Sequence, residues 1–355
     1  MKDNKALEIL TDYKKKVWPE IQSYLKSPSY PTGFKVPKRY SSINKKHWDI
    51  VTEYPKRQGK YFRPTLLLLT CEAMGENSNK AIKTAAAMQL SEDWLLIHDD
   101  IEDHSEQRRG KPTLHKQYGL DYALNAGDAL HVVMWKIIFD NHKALGHKKT
   151  QAILNEFYRA LARTALGQTA EIMWRNNNDK NINTSDWYFI ADGKTSYYTV
   201  ACPMRLGAII AGTNSKQLHK LAQFGVYLGR CFQLVDDILD VTSNFSGQKK
   251  QKGNDIYEGK RTLILNHLLR KVNPSDKEKL LLILDYPPSK KTKADINWVI
   301  TKMNEYGSID YAQKLAKRMK DKAFIAFEED LAFLSKKAPR EKLETLIHFV
   351  LERKY

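Results

Sequence analysis

Cysteine is scarce in this chain, which has three cysteines among 355 residues. Cys71, Cys202 and Cys231 are odd in number, far apart in the chain, and match no metal-ligand spacing. A disulfide framework and a cysteine-based zinc site are therefore both excluded. We predict reduced thiols that line the core or a cavity wall of a cytoplasmic protein.

Long apolar runs are also lacking. The most apolar short run, Leu66 to Leu69 with its neighbours, is far shorter than the roughly 20 residues that a transmembrane helix needs. The start of the chain carries charges throughout and lacks the apolar stretch of a signal peptide. We therefore predict no transmembrane segment. A weak membrane association stays open, although the sequence offers no clear amphipathic anchor.

Acidic residues are the minority charge, since 41 Asp and Glu stand against 58 Lys and Arg and leave a formal net charge of +17. Such an excess attracts nucleic acids, anionic membranes or phosphorylated small molecules. The basic residues are dispersed along the chain, and most of the excess is expected to be a solvated surface. No helix-turn-helix, zinc or RNA-binding signature accompanies them, so we predict no nucleic-acid partner.

Alternating apolar patterns typical of strands are scarce, whereas apolar residues recur at three- and four-residue spacing along most of the chain. The sequence therefore predicts an all-α protein, with Ser185 capping one helix. The expected helices cover 80–104, 121–145, 150–174, 186–212, 217–242, 260–271 and 307–333, and polar loops are expected at 27–38, 175–186, 243–254 and 286–293.

No internal repeat and no linker-like loop divides the chain. We therefore predict one large helical domain over residues 59–355, with residues 1–58 as an N-terminal helical extension packed on it. The extension is rich in aromatic residues, which favours packing over a flexible tail.

The first acidic motif is a DDxxD pattern formed by Asp99, Asp100 and Asp103. On a helix, Asp99 and Asp103 lie one turn apart on the same face. Like charges at that spacing destabilise the helix, and a divalent cation that takes carboxylate oxygens would relieve them. One such motif alone is weak evidence, because acidic helix faces are common.

The second motif repeats the pattern inside an apolar run, where Asp236, Asp237 and Asp240 lie among Leu, Val and Ile. Buried carboxylates are costly without cations or a metal. Two such helices facing each other would hold several Mg²⁺ ions, which take few protein carboxylates and complete their shells with water and substrate phosphates. The two motifs together predict a diphosphate ligand.

Basic residues cluster around both motifs and are natural partners for phosphate oxygens. In GKYFRP (59–64), Lys60 and Arg63 are expected on one helical face. The other members are Arg108, Arg109, Lys194, Lys249, Lys250, Lys252 and Lys260, the last of which lies in GNDIYEGKRT (253–262) with Asp255.

With these motifs in this order, the chain from about residue 59 to 265 resembles the trans-type prenyl diphosphate synthases, the polyprenyl synthetase family. The resemblance implies the isoprenoid synthase fold, an antiparallel helix bundle around a central active-site cavity, in a homodimer. It also implies head-to-tail condensation of isopentenyl diphosphate with dimethylallyl, geranyl or farnesyl diphosphate. The matching segments are GKYFRP, HDDIEDHSEQRRGKPTLHKQYG, NAGDAL, GQTAEI, DGKTS, FQLVDDILD and GNDIYEGKRTL.

The resemblance assigns roles to the matching positions. Three Mg²⁺ ions are expected on Asp99, Asp103, Asp236 and Asp240, with Asp100, Asp237 and Asp255 in support. The allylic diphosphate is expected on Arg108, Lys194 and Lys250, with Lys249 and Lys252 as alternatives to Lys250. Isopentenyl diphosphate is expected on Gly59, Lys60, Arg63 and Arg109, with Lys260 as a further substrate contact. The catalytic set is Asp99, Asp100, Asp103, Lys194, Thr195, Gln233 and Asp236, of which Thr195 and Gln233 would lie near the developing carbocation.

The implied mechanism is electrostatic. Magnesium ions and cationic side chains stabilise the departing pyrophosphate, so that the allylic C–O bond ionises. The double bond of isopentenyl diphosphate would attack the cation, and transfer of a proton to the released pyrophosphate would complete the elongation. An apolar cavity would keep water away from the cation.

Residues just before the first acidic motif set the product length in the family that the chain resembles. A helix advances about 5.4 Å per turn, close to one extended isoprene unit, so a large side chain one turn below Asp99 can form a floor. Leu95 lies on the same stripe as Asp99, and the bulky Trp94 lies beside it. The sequence predicts a C15 or C20 product, with Trp94 as either the floor or ordinary core filling.

One position departs from the family pattern, which usually has His, Gln or Asn seven residues before Asp99. This chain has Glu92 there, and a carboxylate facing a diphosphate is repulsive unless it is protonated, paired or metal-bound. We hypothesise that Glu92 pairs with a basic residue such as Lys60 or Arg63. Altered affinity or altered substrate choice are the alternatives.

Two further hypotheses stay open from the sequence. A terpene cyclase or head-to-head synthase would share the fold, but the complete second motif with GNDIYEGKRT argues against it. A non-catalytic subunit that regulates a partner synthase would carry damaged motifs, and here the motifs are intact apart from Glu92.

Overall fold

The chain folds almost entirely into helices. The computed structural model describes residues 2–243 and 252–351. Within these ranges the only strands are β1 (Gln107–Arg108) and β2 (Lys111–Pro112), which pair antiparallel as one short hairpin. The prediction of an all-α protein is confirmed. None of the helices in these ranges combines the length and the apolar character needed to cross a membrane.

The chain separates into two units, each of which has its own core. This division differs from the predicted boundary at residue 58, which stays a prediction. The first unit contains Met1–Asn155, Leu206–Thr213 and Ser335–Leu343, and the second contains Glu156–Arg205, Asn214–Leu334 and Glu344–Tyr355.

The first unit is built around α5 (Ile82–Glu102), which packs against α1 (Lys2–Tyr24), α4 (Phe62–Ala73) and α7 (Leu120–Asp140). The apolar run 66–69 of α4 is completely buried in this core. The other helices of the unit are α2 (Ser41–Val51), α3 (Glu53–Arg57) and α6 (Leu114–Tyr118), with 3-10 turns at Thr32–Phe34, Lys38–Tyr40 and Ser78–Ala81.

The second unit is built around α11 (Ser215–Thr242), which packs against α16 (Ser308–Ile325) and against a π-helical segment (Asp192–Ala201). The other helices of the unit are α9 (Thr184–Ala191), α12 (Asn254–Glu258), α13 (Leu263–Lys271), α14 (Pro274–Asp285) and α15 (Lys293–Glu305), with a 3-10 turn at Pro288–Lys290 and a π-helical turn at Ala326–Asp330. Among the helices that the structure describes, three contribute residues to both units, namely α8 (His142–Asn176), α10 (Cys202–Ala211) and α17 (Lys337–Leu351).

Two glycines let α11 lie unusually close to the π-helical segment. A Cβ atom placed at Gly229 would lie 2.3 Å from the Cα atom of Ser196, and one at Gly225 would lie 2.5 Å from the Cβ atom of Ala201. Both distances are far below van der Waals contact, so no larger residue fits without moving one of the helices.

Some helix boundaries differ from the predicted ones. The expected helix 121–145 is divided, because α7 ends at Asp140 and α8 begins at His142. Within α8 the backbone is interrupted at Gly146, whose φ of 73° favours glycine. The expected helix 186–212 consists of α9, the π-helical segment and α10 in succession.

The cap of α9 is Asn183, and the prediction of Ser185 was wrong. The Asn183 side chain accepts hydrogen bonds from the backbone N–H groups of Ser185 (2.7 Å) and Asp186 (3.1 Å). Asp186 returns the bond by accepting the N–H of Asn183 at 2.8 Å, which completes a capping box. Asn183 can act because its backbone is still extended, whereas Ser185 is already inside the helix.

The three cysteines are buried and free, as the sequence predicts. Burial raises the pKa of Cys71 and of Cys231 to about 12. These thiols therefore stay protonated at neutral pH and are poor nucleophiles.

Candidate active site

The first acidic motif lies at the C-terminal end of α5. Asp103 is the C-cap residue, and its backbone N–H donates to the Asp99 carbonyl oxygen at 2.8 Å. The side chain of Asp99 is 30% exposed, and Asp103 is buried. Arg108 Nη2 lies 3.7 Å from Asp99 Oδ2, and the partial negative charge at the carboxyl end of the helix favours further positive charge beside the two carboxylates. The geometry therefore suits a bound metal ion.

Asp100 has a different environment from its two neighbours in the motif. Its carboxylate is completely buried. The two carboxylate oxygens accept hydrogen bonds from Arg108 Nε at 3.0 and 3.1 Å. The Tyr54 hydroxyl donates to the same carboxylate at 2.5 Å. Burial alone would lower the pKa of Arg108, but the Asp100 carboxylate outweighs it and raises the pKa above its usual value. Asp100 is thus bound to protein groups that the sequence did not identify as its partners.

Arg109 is presented by the turn of the hairpin. Arg109 and Gly110 both have positive φ angles, 54° and 77°, as a two-residue turn between right-twisted strands requires. Arg109 Nη1 donates to Asp93 Oδ1 at 2.9 Å and to the Tyr54 carbonyl oxygen at 3.1 Å. A Cβ at Gly59 would lie 2.8 Å from Arg109 Nη2, so the glycine of GKYFRP provides the space for this guanidinium.

Lys60 does not lie on a helix, so the prediction of a shared helical face with Arg63 was wrong. Helix α4 begins at Phe62, and Tyr61 before it adopts the left-handed conformation with φ of 58°. Arg63 therefore occupies the first turn of α4 while Lys60 precedes the helix. Pro64 fits in this first turn, because its missing N–H would have no helical partner there.

Glu92 pairs with a basic residue, which confirms that part of the hypothesis. Arg63 Nη1 lies 2.9 Å from Glu92 Oε2, and Arg109 Nη2 lies 3.5 Å from Glu92 Oε1. The neighbouring Asp93, which the sequence did not single out for a role, is fully buried against Arg109. Burial raises the pKa of Asp93 to about 6, with Arg109 opposing the rise and Glu92 adding to it.

The second acidic motif lies near the C-terminal end of α11. Gln233 Nε2 donates to Asp237 Oδ1 at 2.8 Å, whereas Asp237 Oδ2 is buried and has no hydrogen-bond partner among the described residues. Burial, and then the charge of Asp255, raises the pKa of the Asp237 carboxyl well above its usual range. Asp236 and Asp240 act in the same direction. A buried acidic group of this kind suits a divalent cation.

Asp240 is hydrogen-bonded to the backbone at the start of α12. Its carboxylate accepts the backbone N–H groups of Asn254 and Asp255, both at 3.1 Å. This contact fixes the start of GNDIYEGKRT against the second motif. Further along the same segment, Lys260 Nζ forms an ion pair with Glu258 Oε2 at 2.7 Å.

The π-helical segment carries Lys194 and Thr195. Lys194 Nζ contacts Gln168 and Glu171 of α8, both of which lie in GQTAEI. GQTAEI is one of the segments that carry the family resemblance, but no role was predicted for its residues, although the Glu171 carboxylate was an available signal. Thr195 Oγ1 donates to Gln233 Oε1 at 2.7 Å, so these two predicted neighbours of the carbocation are in contact.

The predicted substrate contact Lys250 and its alternative Lys249 lie outside the described residues, whereas the other alternative, Lys252, is half-buried. In the described ranges no group of three or more His, Cys, Asp or Glu side chains converges on one point. That arrangement is compatible with Mg²⁺, which needs only one or two protein carboxylates when water and phosphate complete its shell.

Trp94 packs among side chains of α5 and α7. Its Nε1 points to the Met134 sulfur at 3.5 Å, and its ring centroid lies 4.5 Å from that of His131. His98, one turn on, meets the Trp94 ring edge-on at 5.8 Å. Leu95, the other predicted chain-length residue, is half-buried.

An all-α chain with two helical DDxxD motifs, the first of which is paired with the Arg108 guanidinium, has the features of a class of magnesium-dependent enzymes that act on isoprenoid diphosphates. Comparison with known proteins leads to the same class. The family model for polyprenyl synthetase matches residues 45–303. The curated short chain isoprenyl diphosphate synthase of Methanothermobacter thermautotrophicus is 32% identical over 84% of this chain and 87% of its own length.

A second relative and a solved structure agree. The geranylgeranyl diphosphate synthase of Saccharolobus solfataricus is 29% identical over 83% of this chain and 87% of its own length. The crystal structure of the geranylgeranyl pyrophosphate synthetase of Pyrococcus horikoshii superimposes with a TM-score of 0.83 and 29% identity, covering 98% of this chain and 99% of the other.

The chain belongs to the polyprenyl synthetase family. It has the isoprenoid synthase fold, as predicted. It is a prenyltransferase that condenses isopentenyl diphosphate with an allylic diphosphate to form a prenyl diphosphate, in a family that depends on magnesium.

Proposed function

We propose that this enzyme makes a short trans-prenyl diphosphate of C15 to C20, starting from dimethylallyl, geranyl or farnesyl diphosphate. The names of the two curated relatives support this range, because one is a short-chain synthase and the other a geranylgeranyl diphosphate synthase. The large Trp94 side chain lies five residues before Asp99, and a bulky residue about one turn below the motif would limit the space for a growing chain.

Asp99, Asp103, Asp236 and Asp240 are the proposed ligands of three Mg²⁺ ions. The observation that carries this proposal is the position of Asp99 and Asp103 at the negative end of α5, where they favour a cation. Magnesium would supply the positive charge that makes the diphosphate of the allylic substrate a good leaving group. Asp100 and Asp237 support these ligands by fixing Arg108 and Gln233.

Cationic side chains are the proposed binding groups for the two diphosphates. Arg108, Lys194 and Lys250 would hold the allylic diphosphate, and Lys260 would add a further contact. Gly59, Lys60, Arg63 and Arg109 would hold isopentenyl diphosphate, with Gly59 acting through the room that it leaves for Arg109. The oxygens of Thr195 and Gln233 would face the carbocation with their lone pairs, which favours positive charge there.

A product assay tests the proposal. Purified protein is incubated with Mg²⁺, labelled isopentenyl diphosphate and each of the three allylic primers, and products are resolved by chain length. We expect C15 to C20 products that disappear when EDTA is added and return with excess Mg²⁺. Absence of product with every primer would instead favour a non-catalytic homologue, and longer products would refute the proposed length.

A homodimer is the proposed assembly. Helix α7 exposes apolar side chains on one side, with Leu124 at 49%, Val132 at 69% and Phe139 at 58% exposure. Such a stripe on one helix face favours burial against another chain. Light scattering after gel filtration should give twice the chain mass, and Val132→Glu should shift it towards the monomer. A wild-type chain that elutes as a monomer would refute this assembly.

A cytoplasmic location is proposed from the cysteines. All three are free and buried, as is usual for proteins of a reducing compartment. Cell fractionation of the tagged full-length protein should recover it in the cytosolic fraction, and recovery in a membrane or secreted fraction would contradict the proposal.

A further inference from the structure

Four charged side chains of the first unit form a compact group that we call the Glu92 cluster: Arg63, Glu92, Asp93 and Arg109. Arg63 comes from α4, the two carboxylates from α5, and Arg109 from the hairpin turn. The three ion pairs are Arg63–Glu92 at 2.9 Å, Arg109–Asp93 at 2.9 Å and Arg109–Glu92 at 3.5 Å. Two positive and two negative charges balance, so the cluster is neutral when all four groups are ionised.

The two carboxylates differ in accessibility. The Asp93 side chain is 1% exposed, and its partner Arg109 is also bonded to the Tyr54 carbonyl oxygen. That pair is part of the core of the unit. The Glu92 side chain is 16% exposed and Arg63 is 20% exposed, so the Glu92 side of the cluster is the side that a solute can reach.

Arg109 has a donor group that the protein leaves unused. Its Nη2 atom is buried, lies 3.5 Å from Glu92 Oε1, and makes no hydrogen bond to any described residue. A buried N–H group without an acceptor is unfavourable. Arg63 Nη1, which holds Glu92, and Arg109 Nη2 thus both point to the oxygens of Glu92. Guanidinium groups bind phosphate oxygens with the same geometry as carboxylate oxygens.

We propose that Glu92 is an internal competitor of isopentenyl diphosphate: its carboxylate occupies a guanidinium N–H group of Arg63 that the substrate diphosphate must take over, and it also lies in ion-pair contact with Arg109. This inference rests on the proposed function, in which Arg63 and Arg109 bind isopentenyl diphosphate. When the diphosphate arrives, Glu92 is displaced from Arg63, while Asp93 keeps Arg109 in place. The displaced carboxylate stays close to a ligand of the same charge, which weakens binding further.

Glu92 is therefore a residue that sets the affinity for one substrate without touching the reacting carbons. Glu92→Gln keeps the size of the side chain and removes its charge. It should lower KM for isopentenyl diphosphate by about tenfold for two reasons. A neutral amide pairs more weakly with the guanidinium groups, and it does not repel the negatively charged diphosphate. The KM for the allylic substrate should not change, because no allylic contact is altered.

The experiment measures KM for both substrates, kcat, the Kd of isopentenyl diphosphate and the melting temperature for wild type, Glu92→Gln and Glu92→Asp. The aspartate variant keeps the charge and should stay within a factor of about three of wild type, because the charge is the cause of the competition. Glu76→Gln is the matched control, since Glu76 also pairs with a cation at 3.1 Å, namely Lys80, but on the surface. It should leave every constant unchanged.

The variant Arg63→Gln tests the proposed binding of isopentenyl diphosphate by Arg63 separately from the proposed competition by Glu92. If it leaves KM for isopentenyl diphosphate unchanged, Arg63 does not bind that substrate, and both the proposed role and the inference are wrong. If it raises KM while a folded Glu92→Gln leaves KM unchanged or raises it, only the inference is overturned. If Glu92→Gln does not fold, Glu92→His is measured at pH 8, where its imidazole is mostly neutral, with the same expected drop in KM.

Discussion

Thr195 Oγ1 donates a 2.7 Å hydrogen bond to Gln233 Oε1, and Gln233 Nε2 donates in turn to Asp237 at 2.8 Å. The chain of bonds fixes which end of the Gln233 amide faces Thr195. Thr195→Val should release that orientation and lower kcat by about 10- to 100-fold, the usual effect of losing a group that orients a catalytic residue. The measurement is steady-state kinetics with saturating substrates.

Thr301→Val is the control for this change, because Thr301 is exposed and its hydroxyl donates only to the Asn297 carbonyl oxygen. It should retain wild-type kcat. A Thr195→Val enzyme with wild-type kcat would show that the orientation of Gln233 does not limit the reaction.

Asp99 and Asp100 are adjacent in sequence, but substitution of Asp99 should reduce activity whereas substitution of Asp100 should reduce stability. Asp99→Asn removes a proposed metal ligand and should lower kcat by more than about 100-fold, with little change in melting temperature. Asp100→Asn weakens a completely buried pair with Arg108 and should cost about 3 kcal/mol of stability. Thermal unfolding and kinetics of both variants, measured side by side, separate these roles. Equal losses of stability in the two variants would contradict the assignment.

Trp94→Ala should lengthen the product by at least one isoprene unit. The substitution removes the ring that packs on Met134 and His131, and the space gained lies about one helical turn below Asp99. Chain-length analysis of the products with farnesyl diphosphate as primer gives the answer. Leu95→Ala is the matched comparison on the same helix. An unchanged product from Trp94→Ala together with a longer one from Leu95→Ala would make Leu95 the floor.

Asp93 should make stability depend on pH in mildly acidic solution. Its pKa of about 6 in the folded chain lies above the usual 3.8, so the folded state binds the proton more tightly than the unfolded state. Stability should therefore fall as pH rises from about 4 to about 6, by about 3 kcal/mol in total, and stay level above that range.

Asp93→Asn cannot titrate and isolates this effect. The difference in unfolding free energy between wild type and the variant should change across that range and be constant at higher pH. Parallel curves for the two proteins from pH 4 to pH 8 would mean that Asp93 keeps an ordinary pKa.

Gly229→Ala should destabilise the second unit, because the new methyl group would lie 2.3 Å from the Ser196 Cα atom, which belongs to the backbone and cannot rotate away. Overpacking of this kind costs about 1 to 3 kcal/mol. Thermal unfolding measures it. Gly33→Ala is the control, since no atom lies within 4 Å of a Cβ at that position. Equal stability of Gly229→Ala and Gly33→Ala would show that the helices can separate freely.

The features that follow from local pattern were predictable. Apolar spacing gave the all-α fold, and the acidic motifs were placed on helices, as α5 and α11 show. The pairing of Glu92 was predictable because a half-buried carboxylate next to basic motifs needs a cationic partner. The helices could be predicted because apolar residues recur at a regular spacing along the chain. The pairing of Glu92 could be predicted because a carboxylate needs a positively charged partner when it is removed from water.

Other features depend on backbone conformation that the residue types do not specify. Lys60 lies off the helix because Tyr61 is left-handed, a conformation that tyrosine rarely adopts. Asn183 and Ser185 are both good caps, and only the extended backbone at Asn183 decides between them. The burial of Asp100 against Tyr54 joins residues 46 positions apart, which no local pattern reveals.

The close contact of α11 with the π-helical segment also limits how this enzyme can drift in sequence. Across most packed interfaces a gain in volume on one side can be offset by a loss on the other. At Gly225 and Gly229 the side-chain volume on α11 cannot be reduced further, because no residue is smaller than glycine. A larger side chain at the opposing position therefore cannot be compensated there. Ser196 and Ala201 should therefore stay small in any descendant that keeps this contact, and mutant libraries built for new product lengths should leave these four codons unchanged.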